Sequence, residues 1–330
     1  MISIAPTITT DDPAVYKQQM LLFARFARRV HIDIADGKFA PTKLTPIKEV
    51  WWPGSMQADV HVMYERPYDH ARLFLAMRPD MIIVHAEAAI VENFELFARL
   101  MHKAGIRVGV ALLPKTRPQE IIELLEHIDH VLIFGGKLGF QGGKADLKNL
   151  KKVPILRAHK PALEISWDGG VTSKIAPKLI AGGIDVLNVG SFISKAVNPY
   201  AAYATLETIA QTMERRLEAK KQKKLKKSNK QKEPKKVKAP KLPKEPKTPK
   251  VPKKPKKVKA PKAPKAPKEH KGLKILKRRH RSERKDKKKD KKAATARQLK
   301  SLNLRQTKFA RTLLRCSRQL VVGIPRGRWG

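Results

Sequence analysis

The chain has 330 residues and a formal charge of +43 at pH 7, with 72 Lys and Arg against 29 Asp and Glu. Its charge is uneven: residues 1–217 hold 27 basic and 22 acidic side chains, whereas residues 218–330 hold 45 and 7. The single cysteine, Cys316, excludes an intrachain disulfide. No apolar run approaches the roughly 20 residues of a membrane span, and the opening MISIAPTITTDD lacks the basic flank and apolar core of a secretory signal, so a soluble, cytoplasmic protein is expected.

The first 217 residues alternate short apolar runs with longer amphipathic ones. Strands are expected at 2–5, 29–34, 57–63, 81–85, 107–112, 130–135, 162–167 and 184–189. Helices are expected at 13–28, 46–50, 67–77, 91–104, 118–126, 144–151, 173–181 and 199–217. Asp12-Pro13 is a helix-start signal, and Gly105 and Gly182-Gly183 are helix-stop signals. Eight β–α units with strands too apolar for a solvated sheet give an α/β fold, a closed parallel (β/α)8 TIM barrel. An open doubly wound sheet is the rival, but no G-x-G-x-x-G follows the first strand.

In such a barrel, chemistry gathers at the C-terminal ends of the strands. Polar residues interrupt the apolar pattern there: Thr7, His31, Asp33, Asp59, His61, His85, Asp168, and Gly190-Ser191. Residues two apart on a strand share a face, so His31 and Asp33 project together while Val30, Ile32 and Ile34 face away. His31, Asp33, His61 and Asp168 form a set of two imidazoles and two carboxylates suited to one divalent ion such as Zn, Mn, Fe or Co. Asp59 reads better as a residue that orients a neighbour, and His85 as either a ligand or a hydrogen-bonded strand end. Gly169-Gly170 and Gly190-Ser191 follow the last two strands, where backbone N–H groups and a helix N-terminus commonly hold a phosphate.

In order and spacing, HIDIADGKFAP (31–41), ADVHVM (58–63), IIVHAEA (82–88), GVALLPKTRP (109–118), LGFQGG (138–143), SWDGGV (166–171) and NVGSFI (188–193) resemble the motifs of the ribulose-phosphate 3-epimerases. The resemblance spans residues 2–200. It implies a divalent metal on His31, Asp33, His61 and Asp168, and proton exchange by Asp33 and Asp168. It also implies substrate or phosphate contacts from Thr7, His61, Gly139, Gly142, Gly143, Gly169, Gly170, Gly190 and Ser191. The implied reaction interconverts D-ribulose 5-phosphate and D-xylulose 5-phosphate through an enediolate, in a protein for which a homo-oligomer is expected. Two alternatives stay open: epimerisation of a ketohexose phosphate such as allulose 6-phosphate, and a weakly active barrel that anchors a nucleic-acid-binding tail. The chain departs from the family pattern at Thr7 for serine, Ala35 for methionine and Leu113 for a polar residue. The loop that usually resembles N-P-G-F-G-G-Q here reads KLGFQGG (137–143).

Beyond the barrel, residues 218–292 form a Lys/Pro/Ala-rich polycation, expected to be a disordered linker. Its prolines fall at 240, 243, 246, 249, 252 and 255, then 261, 264 and 267, the three-residue period of polyproline II. Residues 293–330 place Leu299, Leu302, Gln306, Phe309, Leu313, Cys316 and Leu320 at helical spacing on a basic background, a candidate amphipathic helix. Nucleic acid is the expected partner of the 218–330 tail, ahead of an anionic membrane surface.

Overall fold

The computed structural model describes residues 2–89, 93–136 and 138–232, with side chains up to residue 223. The polyproline-period stretch, the candidate amphipathic helix and Cys316 lie outside the described residues. Eight parallel strands close on themselves in sequence order: β1 (Ser3–Ile8), β2 (Arg29–Ala35), β3 (Gln57–Met63), β4 (Met81–His85), β5 (Arg107–Leu112), β6 (His130–Phe134), β7 (Glu164–Asp168) and β8 (Val186–Val189). β8 pairs back to β1, from Ser3 opposite Val186 to Pro6 opposite Val189. The expected (β/α)8 barrel is borne out. Its α-helices are α1 (Pro13–Phe23), α2 (Ala71–Met77), α3 (Ala86–Ala89), α4 (Phe94–Lys103), α5 (Lys152–His159), α6 (Ala176–Ala181), α7 (Ser191–Ser194) and α8 (Pro199–Lys232). Among the described residues, no helix is long and apolar enough to cross a membrane.

Several helices differ from the pattern read in the sequence, each for a local reason. α1 starts at Pro13, where the Asp12 carboxylate accepts from the Ala14 amide at 2.7 Å. It ends at Phe23, because Arg25 and Phe26 turn back with tighter bonds to Leu22 and Phe23. The helix expected at 144–151 starts later: Asp146 caps the Lys148 amide, Leu147–Lys151 is a 3-10 helix, and α5 follows. Pro154 sits in the first turn of α5, where its missing N–H leaves no bond unmade. The 118–126 segment forms two 3-10 helices, Pro118–Glu120 and Ile122–His127, separated by the fully buried Ile121. α8 continues past Leu217 to Lys232.

Strand parity divides the molecule into two interiors. Outward-facing Val30, Ile32, Ile34, Val60, Val62, Ile82, Val84, Ile165 and Trp167 join helix side chains such as Met20, Phe97 and Leu179 in the main apolar core. Inside the barrel, apolar packing is confined mainly to Met81, Ile83, Ala111, Leu132 and Phe134 on β4–β6. Much of the rest of the lumen is polar, with Ala5, Ala35, Met63 and Val186 among the exceptions.

Its lower end, at the strand N-termini, is an ion network. Arg29 donates to Asp59 Oδ2 at 2.7 Å and forks onto both Glu164 oxygens at 2.9 Å. Arg107 also reaches Glu164 at 3.2 Å, and His130 bridges Glu164 (2.8 Å) and Ser166 (2.7 Å). Asp59, grouped above with the C-terminal rim, therefore belongs to the opposite end. Its place two residues before His61 puts it one inward-facing position lower, opposite Met81 at the start of β4. Burial pushes the Glu164 carboxyl up, but hydrogen bonds from Arg29 and His130 outweigh it and hold the group far below the usual range.

Arg29 is 5 % exposed and Asp59 only 1 %, so removing one partner strands a buried charge. Arg29→Met is expected to cost about 3–5 kcal/mol in urea unfolding. The double change Arg29→Met/Asp59→Leu should recover much of that loss, because the orphaned carboxylate is gone. A single-variant loss below about 1 kcal/mol would show that the network contributes little.

Candidate functional site

At the upper end of the lumen, His31 and Asp33 of β2, His61 of β3 and Asp168 of β7 converge, with one donor atom from each lying within 4.8 Å of the others. All four side chains are buried. Asp33 Oδ1 faces His61 Nδ1 at 2.8 Å and His31 Nε2 at 3.4 Å, while Asp33 Oδ2 accepts from the Thr9 hydroxyl at 2.6 Å. Neither ring nitrogen of His31 has a hydrogen-bond partner, although the residue is fully buried. A buried polar group left unpaired costs about 1–3 kcal/mol. That orphaned imidazole, in a set of two nitrogens and two oxygens, fits a first-row divalent cation.

The electrostatics of the two carboxyls diverge. Burial pushes Asp33 upward, but the His31 and His61 imidazoles outweigh it and hold the group well below the usual carboxylate range. Asp168 is pushed up to about 6, first by burial and then by the Asp33 charge. Burial pulls the His31 pKa down, and its carboxylate neighbours, led by Asp33, raise it overall.

Asp33 and Asp168 open onto a cavity of about 140 Å3 at the C-terminal ends of the strands. Thr7, Gly139, Gly142, Gly143, Gly169, Gly170, Gly190 and Ser191 line the same cavity. His31 and His61 are fully buried and do not line its wall. Gly169 (φ +101°) and Gly170 (φ +69°) are consecutive left-handed residues, and a Cβ on Gly169 would come within 2.3 Å of the Gly136 amide. Only glycine permits that turn. Gln141 crosses the cavity edge, donating to the Thr7 carbonyl at 3.3 Å and accepting from the Ser194 hydroxyl at 3.4 Å.

His85, left open between two readings above, stands behind His61 rather than among the four. Its Nε2 lies 2.8 Å from His61 Nε2, and its Nδ1 lies 3.2 Å from Glu87 Oε2. Burial lowers the His85 pKa to about 4 despite Glu87, so the ring is neutral. Ala35, at the position where the family pattern has methionine, packs with Ala40, Leu44 and Met63, against Phe39 and Leu138.

Three polar contributors escaped the sequence reading. Thr9 lies just past the end of β1, which runs three residues beyond the expected strand. Glu87 follows His85 at the start of α3 and entered the sequence reading only as part of the IIVHAEA motif, with no role of its own. Asn188 is 1 % exposed, lines the cavity and pairs in register with Asp168, yet neither atom of its amide has a partner. Its signal was parity: Asn188 shares the inward face of β8 with Val186.

Comparison with known proteins agrees with this geometry. A family model described as the ribulose-phosphate 3 epimerase family matches residues 3–194. The chain is 31% identical over 191 residues to a protein of Helicobacter pylori (strain ATCC 700392 / 26695) named ribulose-phosphate 3-epimerase, covering 56% of this chain and 87% of that one. It is 30% identical over 203 residues to the Bacillus subtilis (strain 168) protein of the same name, covering 58% and 92%. Among solved structures, KGPDC from Streptococcus mutans superposes with a TM-score of 0.52 at 11% identity, covering 64% of this chain and 98% of that one. At that identity the likeness is one of fold alone.

Proposed function

The chain belongs to the ribulose-phosphate 3-epimerase family of isomerases, and from that premise we propose that its barrel interconverts D-ribulose 5-phosphate and D-xylulose 5-phosphate by proton transfer between Asp33, Asp168 and the substrate. The observation that carries the reading is the convergence of two oppositely polarised carboxyls on one cavity that also collects the glycine turns.

Inverting a carbon beside a ketone means taking a proton from one face and returning one to the other. Asp33 and Asp168 suit this because β1 and β8 separate their strands, so the two carboxyls approach a bound ketose from different sides. Thr9 fixes Asp33 through its second oxygen, while the first faces the His61 and His31 imidazoles. His31, Asp33, His61 and Asp168 would hold a divalent ion, which supplies Lewis-acid stabilisation of the negative charge that develops as the proton leaves. Backbone N–H groups of the turns at Gly169-Gly170 and Gly190-Ser191, with the 139–143 loop, would bind the phosphate, and Thr7 a substrate oxygen. Burial excludes bulk water from the transfer.

Purified full-length chain should convert ribulose 5-phosphate to xylulose 5-phosphate in deuterium oxide with deuterium incorporated at C3. Asp33→Asn and Asp168→Asn should each lower kcat by about a thousandfold with the fold intact by circular dichroism. Near-normal turnover in either variant would remove that residue from proton transfer. Faster turnover of allulose 6-phosphate would move the substrate assignment to a hexulose phosphate.

Residues 218–330 add a separate proposal, carried by their 45 basic and 7 acidic side chains. This segment binds nucleic acid through phosphate charge, with little sequence preference. In the full chain, the affinity for unrelated DNA and RNA oligonucleotides should fall steeply between about 50 and 200 mM salt. Salt-independent binding, or none at low salt, would contradict it.

A further inference from the structure

We infer that Glu87 and His85 are positioning residues that fix the tautomer of His61, leaving its Nδ1 unprotonated toward Asp33 so that it can bind a divalent cation. The inference rests on the metal reading above. It deepens that reading by naming the residues that prepare one ligand.

Four groups lie in a row across the lumen: Asp33 Oδ1 and His61 Nδ1 at 2.8 Å, His61 Nε2 and His85 Nε2 at 2.8 Å, and His85 Nδ1 and Glu87 Oε2 at 3.2 Å. Each of the three contacts joins two electronegative atoms, so each needs one hydrogen or one cation between them. Imidazoles that carry one proton each, as a metal-ligating ring must, bring only two N–H groups. One contact must therefore be served by something else. If Glu87 keeps its charge, it accepts from His85 Nδ1–H, His85 Nε2 becomes an acceptor, and His61 must donate through Nε2–H. The bare position is then His61 Nδ1, which faces Asp33 within the four-residue cluster. The row thus places its missing charge where a metal ion would sit, as an outer-shell carboxylate–histidine pair does for a ligating histidine.

Glu87 is itself held in one orientation. Its Oε1 accepts from the Leu113 amide at 3.0 Å and from the Thr116 hydroxyl, leaving Oε2 for His85. These two donors also make Glu87→Gln a directed change. The amide oxygen of Gln stays with Leu113 and Thr116, so its NH2 group turns to His85 Nδ1. The row then runs the other way: His85 donates through Nε2–H, His61 accepts at Nε2, and His61 Nδ1–H donates to Asp33. All three contacts are satisfied without a cation.

Zinc affinity of the full chain, measured by competition with a chromophoric chelator, tests this. Glu87→Gln is expected to weaken zinc by about ten- to a hundredfold while the melting temperature of the chelated protein holds or rises. In nitrogen-15 NMR, His61 of the chelated Glu87→Gln protein should carry its proton on Nδ1, and His61 of the zinc-loaded wild type on Nε2. In a His85→Leu background, the same Glu87→Gln change should alter affinity by less than about twofold, because no imidazole carries the effect to His61. Unchanged zinc affinity in Glu87→Gln, or an equal loss in both backgrounds, would overturn the tautomer assignment. A wild-type chain that takes up no zinc or other divalent ion would instead overturn the metal reading on which it rests.

Discussion

Most polar side chains that enter the lumen of this barrel are buried from bulk water, so they must find a charge or a hydrogen bond inside. Strand parity sends His31, Asp33, Asp59, His61, His130, Ser166, Asp168 and Asn188 into that lumen while the outer face of the same strands carries the apolar core. The two ends meet the requirement differently. Below, Arg29, Arg107, Asp59, Glu164 and His130 pair with one another, and of the Asp59 carboxylate only Oδ1 is left without a hydrogen bond. Above, both ring nitrogens of His31, the hydroxyl of Thr7 and the amide of Asn188 remain without partners. A lower layer paired at all but one oxygen and an upper layer with five unpartnered atoms suit a barrel with a stabilising floor and a polar mouth open to a ligand.

Asp33 joins the halves of the upper layer. One oxygen is fixed by Thr9 and the other faces two imidazoles, so it is ionised; its charge in turn helps to push Asp168 up to about 6. Behind His61, the His85–Glu87 pair extends the row to the end of β5 through Leu113 and Thr116. Leu113 replaces a polar residue of the family pattern, but its contribution is through the backbone: its amide donates to Glu87 and its carbonyl accepts from Lys152 at 2.6 Å. The side-chain departure at 113 therefore leaves that support in place.

The barrel was legible in the sequence because β-strand and helix periods alternate eight times, and His31 and Asp33 were legible because both break an apolar strand with a two-residue spacing. His61, Asp168 and the glycine turns at 169–170 and 190–191 were legible from their places at strand ends, and family resemblance added Gly139, Gly142 and Gly143. Asp59 misled because strand parity gives the face of a residue but not its height along the barrel axis, which its pairing with Met81 at the start of β4 and its bond from Arg29 reveal. Thr9 was missed because β1 runs on through Ile8, which brings the residue after it beside Asp33. Asn188 was passed over because parity gives only its face, and its inward neighbour on β8, Val186, is apolar. The helix expected at 144–151 lies later in the chain because Asp146 caps the Lys148 amide, and Pro154 is accepted in the first turn of α5.

The central claim is that the upper lumen is built around one divalent cation that the isomerisation needs. It is tested most directly by metal content and turnover on the same full-length preparation. About one divalent ion per chain is expected, with epimerisation of ribulose 5-phosphate abolished by chelation and restored when a single metal is added back. Undiminished turnover by a chain stripped of metal would contradict the account.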